Sequence, residues 1–166
     1  FKFIIDKKKI SKSQVFQDLF AYFFSNCKKR GVFIEIGGGN GVDLSNTYIL
    51  EKMFKWTGVV CEPDNRLHTN ILSKRKCFLE TAPITNSSNK IFYFNDKGTY
   101  NSYTSSTYNS SAKKLKSLSL NNLIKKYQLT KNIDYISIDT EGNELDIIKN
   151  FNFNKYNVKI FTIEHN

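Results

Sequence analysis

The sequence predicts an α/β fold, a mainly parallel sheet flanked by helices, from three observations. Short β-branched runs alternate with segments of helical spacing: VFIEI (32–36), TGVVCE (57–62), DYISI (134–138) and VKIFTI (158–163). The first of these runs passes straight into a burst of glycine, FIEIGGGNG (33–41). And 166 residues, 40% of them hydrophobic, can bury a substantial core. Strand–helix alternation of this kind implies parallel pairing through right-handed crossovers.

Residues 14–26 place Val15, Phe16, Leu19, Phe20, Phe23 and Phe24 at i, i+3, i+4 spacing, the pattern of an amphipathic helix. Ser13 is its candidate cap, and Lys28, Lys29, Arg30 and Gly31 suit its end. After the first strand and the glycines, 43–54 reads as a helix with Leu44, Tyr48, Ile49, Leu50 and Met53 inward. A second strand at 57–62 is stopped by Pro63, with Asp64 as a helix cap. A helix over 65–74 and a third strand near 76–81 follow. IFYF (91–94) reads as an added strand, and the polar stretch GTYNSYTSSTYNSS (98–111) as part of a mobile loop or lid over 96–116. Helical spacing returns at 118–129, strands at 134–138 and 158–163, and a helix between them at 143–150. The whole, 1–166, reads as a single domain with 1–12 as an N-terminal extension.

Net charge is +10, mostly from lysine, in clusters such as Lys28-Lys29-Arg30, Lys113-Lys114-Lys116 and Lys125-Lys126. Such a surface favours anionic partners, nucleic acid included. Lysine nevertheless lacks the planar fork that reads bases and phosphates, and no RNA-binding motif is present. Cys27, Cys61 and Cys77 are widely spaced with no CxxC pair, which points away from zinc and disulfides and toward a cytoplasmic or otherwise intracellular setting. No apolar run approaches the roughly 18 residues of a membrane span. The chain begins with Phe rather than Met, so the natural N-terminus is expected to lie elsewhere.

Three nucleotide-binding readings compete for the glycine loop. A phosphate-binding P-loop needs GxxxxGK followed by Ser or Thr, and no such pair occurs here. A dinucleotide fingerprint needs a small residue at its third position, where this chain has Val42. Glu35, two residues before Gly37, would repel a pyrophosphate but suits the ammonium and sulfonium of S-adenosylmethionine (SAM). Glu62, 25 residues after Gly37 at the end of the second strand, can accept both ribose hydroxyls of either SAM or NAD. Thr81 and Ala82, ending the third strand, would flank the adenine. Asp139-Thr140-Glu141-Gly142, ending the fourth, would face the methyl group and its acceptor.

The ordered set SQVFQD (13–18), GVFIEIGGGNG (31–41), LSNTYILEK (44–52), WTGVVCEPD (56–64), SLSLNNLI (117–124) and DYISIDTEGNELDIIKNF (134–151) resembles the FkbM family of SAM-dependent methyltransferases over residues 13–166. The DxEGxE core of the last segment is its most distinctive part. The resemblance implies a Rossmann-like class I methyltransferase fold. The chain stops after the fifth strand, so strands six and seven of that fold are expected to be missing. The resemblance implies SAM beside Glu35, Gly37, Gly39 and Glu62, with Ser45 and Asn46 near it. With the neighbouring strand ends, the expected cofactor-binding set also takes in Asn40, Pro63, Thr81, Ala82 and Asp139, although Thr81 and Ala82 depart from the polar or acidic adenine contact of many methyltransferases. Asp139 and Glu141 match the family's acids at the reaction centre. The implied reaction is O-methylation of a hydroxyl on a sugar or other small molecule, a small-molecule or glycan acceptor.

Methyl transfer is an in-line displacement in which positioning does most of the work. An alcohol acceptor also gains from a general base, for which Asp139, Glu141, Glu164 and His165 are candidates. Asp139, Glu164 and His165, ending neighbouring strands, could also share a divalent cation such as Mg²⁺ or Ca²⁺. The plainer expectation is a hydrogen-bonded pocket without metal. His68 and Glu144 read as helix-surface residues. Two other functions stay open at this point: an NAD-linked oxidoreductase, and a basic nucleic-acid-binding module in which the Tyr-rich, Lys-flanked loop stacks bases.

Overall fold

A computed structural model describes residues 2, 8–94 and 113–165. A short 3-10 turn (Lys8–Ile10) precedes helix α1 (Gln17–Phe24). Strand β1 (Val32–Ile36), helix α2 (Tyr48–Phe54), strand β2 (Thr57–Cys61), helix α3 (Asn65–Lys74) and strand β3 (Phe78–Glu80) follow. Then come four short strands, β4 (Ile84–Thr85), β5 (Ile91–Phe94), β6 (Lys113–Lys116) and β7 (Leu118–Ser119). The chain continues through helix α4 (Leu120–Lys126), strand β8 (Asn132–Ile138), helix α5 (Glu144–Lys149) and strand β9 (Asn157–Ile163). The polar stretch 98–111 lies outside the described residues. Residues 113–116, expected in that loop, form β6, which pairs antiparallel with β5.

The central sheet has five strands in the order β3-β2-β1-β8-β9, all parallel. Helices pack on both faces, as the sequence led us to expect of a Rossmann-like fold. Strand order reverses between β1 and β8. In open parallel sheets, ligands bind in the crevice outside the carboxyl ends at such a reversal.

The strands alternate cleanly. Ile34, Ile36, Val59, Cys61, Ile136 and Ile138 join one core layer with Leu120, Leu123, Ile124 and Ile147. Phe33, Val60 and Tyr135 join the other with Ala21, Tyr22, Leu50, Trp56 and Ile71. By the same period of two, Glu35 shares the face of Phe33. That parity decides what Glu35 can reach.

Two helices depart from expectation. Helix α1 is shorter than 14–26 and turns its other side inward: Asp18, Leu19, Ala21 and Tyr22 are buried. Val15, Phe16, Phe20, Phe23 and Phe24 are instead exposed. The rotation follows from two anchors. The Tyr22 ring stacks on Phe54 with centroids 3.5 Å apart. The buried Asp18 carboxylate accepts from the Ser11 hydroxyl and the Lys12 and Ser13 amides, while the Ser13 hydroxyl accepts from the Asp18 amide. Helix α2 begins only at Tyr48, because Leu44 takes a left-handed φ of 60° and ends any continuous helix from 43. Leu44 and Met53, expected inward, are exposed, while Ile49 and Leu50 are buried.

Candidate functional site

A cavity of about 780 Å³ opens at the carboxyl ends of β1, β2 and β8, a volume in the range of small-molecule sites. Its floor is where the first and fourth long strands meet. Gly37 (φ 85°) follows β1, and a Cβ there would stand 1.7 Å from the Asp139 carbonyl oxygen. Glycine is thus required by the closeness of the two strand ends, in addition to the left-handed dihedral.

The glycine loop is held through its own amides. The Gly37 and Gly38 N–H groups donate to the Cys61 carbonyl, and Gly39 donates to the Glu62 carboxylate at 2.9 Å. Gly41 donates to the Gly38 carbonyl, and the Asn40 side-chain oxygen accepts from Val42 and Asp43. A phosphate-binding loop keeps such donors for its ligand; here they are committed to the protein.

Glu62 reaches the cavity wall from the end of β2, with its other carboxylate oxygen accepting from the Asp64 amide. Burial, set against these two amide bonds, pushes its pKa up to about 7, and the charges of Asp64 and Glu35 add to the rise. The His68 ring contacts the Glu62 carbonyl at 2.7 Å, so this residue supports the loop after β2. Asp64 caps α3 as expected, accepting from the Arg66 amide and guanidinium.

At the opposite end, Asp139, Glu141 and Glu164 each bring a carboxylate oxygen within 4.8 Å of the others. Burial raises the Asp139 pKa to about 7, reinforced by a hydrogen bond with Glu164 and by the charges of Glu164, Glu141 and Glu144. These three are the group among the described residues whose spacing would suit a divalent cation. The sequence reading had His165 as the third member. His165 is exposed, and Glu141, at a left-handed φ of 58°, is the residue that joins Asp139 and Glu164.

Of the expected cofactor contacts, Gly37, Gly39, Asn40, Glu62, Pro63, Ala82 and Asp139 line the cavity. Glu35, Ser45, Asn46 and Thr81 do not. The placement of Glu35 matters most. Its buried carboxylate accepts from the Ser45 and Thr47 hydroxyls and the Asn46 amide, 3.6 Å from Arg75. Strand parity turns it under the loop, away from the opening. Ser45 serves as its donor, and the Asn46 side-chain Nδ2 donates to the Ser137 hydroxyl. Thr81 is exposed beside the third strand.

Arg75 is the partner that sequence reasoning missed. Its fully buried guanidinium donates to the Glu51 carboxylate at 2.7 Å, the Gly41 carbonyl at 2.9 Å and the Thr47 hydroxyl at 2.8 Å. Burial opposes its charge, but the charges of Glu35, Cys77 and Glu51 and the Glu51 hydrogen bond raise its pKa. Burial likewise opposes ionisation of Glu51, yet the Arg75 hydrogen bond and charge leave its pKa lowered. One arginine therefore ties the glycine loop, β1 and α2 together.

The charge of the lining is one-sided. Asp43, Glu62, Asp64, Asp139, Glu141 and Glu164 line the cavity; no Lys, Arg or His does so among the described residues. The chain as a whole, cleft included, carries a net charge of +10.

A scan against family models matches residues 35–166 to the Methyltransferase FkbM domain. The chain belongs to the FkbM methyltransferase family. It is a methyltransferase, and the family implies SAM as methyl donor. No curated protein and no solved structure matches this FkbM chain. None of its described helices is long and apolar enough to cross a membrane.

Proposed function

We propose that this FkbM chain is a SAM-dependent O-methyltransferase acting on a hydroxyl of a sugar or other small molecule. The observation that carries the reading is the acidic lining joined to a glycine loop whose amides are already engaged. A pyrophosphate would meet carboxylates and few open donors, which counts against an NAD-linked reaction. A sulfonium bearing an ammonium meets favourable charge throughout.

On this reading Glu62 accepts the ribose hydroxyls, Ala82 and Pro63 border the adenine, and Gly37 to Asn40 follow the amino-acid portion. SAM supplies an electrophilic methyl group on sulfur. Asp139, its pKa raised to about 7, would take the proton of the acceptor's hydroxyl. Glu164 and Glu141 hold the acceptor's remaining hydroxyls. The same carboxylates select against phosphorylated or carboxylated acceptors, since like charges would face each other in a half-buried cleft. Comparing a neutral glycoside with its phosphorylated form as acceptors for labelled methyl transfer tests this. Labelling of the neutral form alone is the expected result; equal labelling of both would contradict it.

A further inference from the structure

The 139–142 turn carries two of the three clustered carboxylates, and its backbone is unfavourable as it stands. Glu141 occupies the left-handed region at φ 58° and Gly142 lies at φ 118°. A non-glycine residue is disfavoured there unless its surroundings hold it. What holds it is Glu144. Its Oε1 accepts from the Thr140 amide at 2.9 Å, the Thr140 hydroxyl at 2.9 Å and the Gly142 amide at 3.0 Å, and its Oε2 from Gly142 at 3.1 Å.

Glu144 is buried and opens α5, a helix whose N-cap, Asn143, makes no side-chain capping bond. Its carboxylate thus turns back from the helix to clasp the loop before it. An acid on the helix surface would face solvent; this one spends both oxygens on the turn.

We infer that Glu144 is a positioning residue: by gathering the Thr140 and Gly142 donors it fixes the turn that aims Asp139 and Glu141 into the cavity. The inference rests on the proposed cofactor reading, in which these acids face the group being transferred. The clasp needs an acceptor oxygen at the full length of a glutamate side chain. Glutamine keeps both length and acceptor, aspartate keeps the charge but falls short by one methylene, and alanine removes the acceptor altogether.

Two probes read the position of the acids without an acceptor substrate. S-adenosylhomocysteine is uncharged where the methyl would sit. Sinefungin, the SAM analogue with an amine-bearing carbon at that place, carries a cation there. Calorimetric titration of wild type should show sinefungin binding about tenfold tighter, the scale of one added charge-assisted hydrogen bond. In Glu144→Ala and Glu144→Asp the preference should fall toward unity while affinity for S-adenosylhomocysteine stays within about threefold. Glu144→Gln should keep most of the preference. Should Glu144→Ala fail to fold, the Asp and Gln pair still decides, because a purely stabilising role would leave the affinity ratio untouched in both.

A wild-type preference that persists in Glu144→Asp overturns the clasp and leaves the cofactor reading standing. Binding of S-adenosylhomocysteine without any preference for sinefungin in wild type also overturns it, since the acids would then not face the transferred group. Failure of wild type to bind either probe overturns the cofactor reading itself and the clasp with it.

Discussion

Glu35 and Arg75 show how a single side chain's chemistry can be legible while its target is not. An acid two residues before a glycine loop is visible in the sequence, and its charge does matter. Strand alternation, however, sends it beneath the loop to a guanidinium forty residues later, and Arg75 has no local motif to announce it. Breaking a buried ion pair from one side costs about 3–5 kcal/mol. Arg75→Met should therefore lower the unfolding free energy obtained by chemical denaturation by an amount in that range, whereas Glu35→Gln should leave S-adenosylhomocysteine affinity within about threefold. A large loss of affinity on calorimetry of Glu35→Gln would restore the direct ligand contact. Gly37→Ala should be harsher than the ~1–2 kcal/mol that its dihedral alone would cost, because the added methyl meets the Asp139 carbonyl. Soluble yield and melting temperature will show it.

Glu62 gives the pH dependence, and its sign can be worked through. Its folded pKa, about 7, lies above the ordinary 4.5 of a glutamate. Its contribution to stability is therefore fully present below about pH 4.5 and is lost as pH rises through 7. Ligand binding runs the other way, since ribose hydroxyls donate to the ionised form. Affinity for S-adenosylhomocysteine should rise between pH 6 and 8, with proton release near 7 detected by titrating in buffers of different ionisation enthalpy. Glu62→Gln should flatten this profile; a profile unchanged by the substitution would remove Glu62 from the ligand.

Among the elements, the five strands of the central sheet were read to within about two residues because β-branched runs bounded by glycine or proline leave little choice, whereas the two-residue strands β4 and β7 were not read, and 118–119 reads as part of the following helix. Helix α3 was legible for the same local reasons, with Asp64 as its cap. Helix α1 was not. Its aromatic stripe satisfies helical periodicity, yet the side that packs is chosen by Tyr22 on Phe54 and by the Asp18 clasp, contacts set by distant residues. The two faces can be told apart by substitution. Leu19→Ala should cost about 2–5 kcal/mol, and Phe23→Ser about 1 kcal/mol or less. Equal losses in urea titrations would mean that the helix packs as its periodicity first suggested. The β5–β6 hairpin escaped for another reason. IFYF was visible as a strand, but its partner lies beyond a long polar stretch, and KKLK has no strand-like composition.

At the scale of the molecule, charge is divided between surface and cleft. Lysines give the chain its excess of ten positive charges, and the cavity at the sheet's reversal point carries carboxylates. The glycine loop, the Glu62 position and the DTEG segment located that cavity in the sequence, since each ends a strand and parallel strands bring their ends together. What the sequence could not show was that every described cation stays off its wall. That depends on which loops fold over the sheet.

A ligand binding the folded state alone stabilises it by mass action, by about 2.7 kcal/mol at a hundredfold excess over Kd. For a chain of this size that is a rise of about 5–10 °C in melting temperature. The most direct measurement is calorimetric titration of the wild-type chain with SAM and, separately, with NAD, repeated on Glu62→Ala. The account predicts one-to-one binding of SAM, no heat from NAD, and at least tenfold weaker SAM binding in the variant, whose folded state is checked by circular dichroism at the titration temperature. Saturable NAD binding in place of SAM, or SAM binding indifferent to the loss of Glu62, would contradict it.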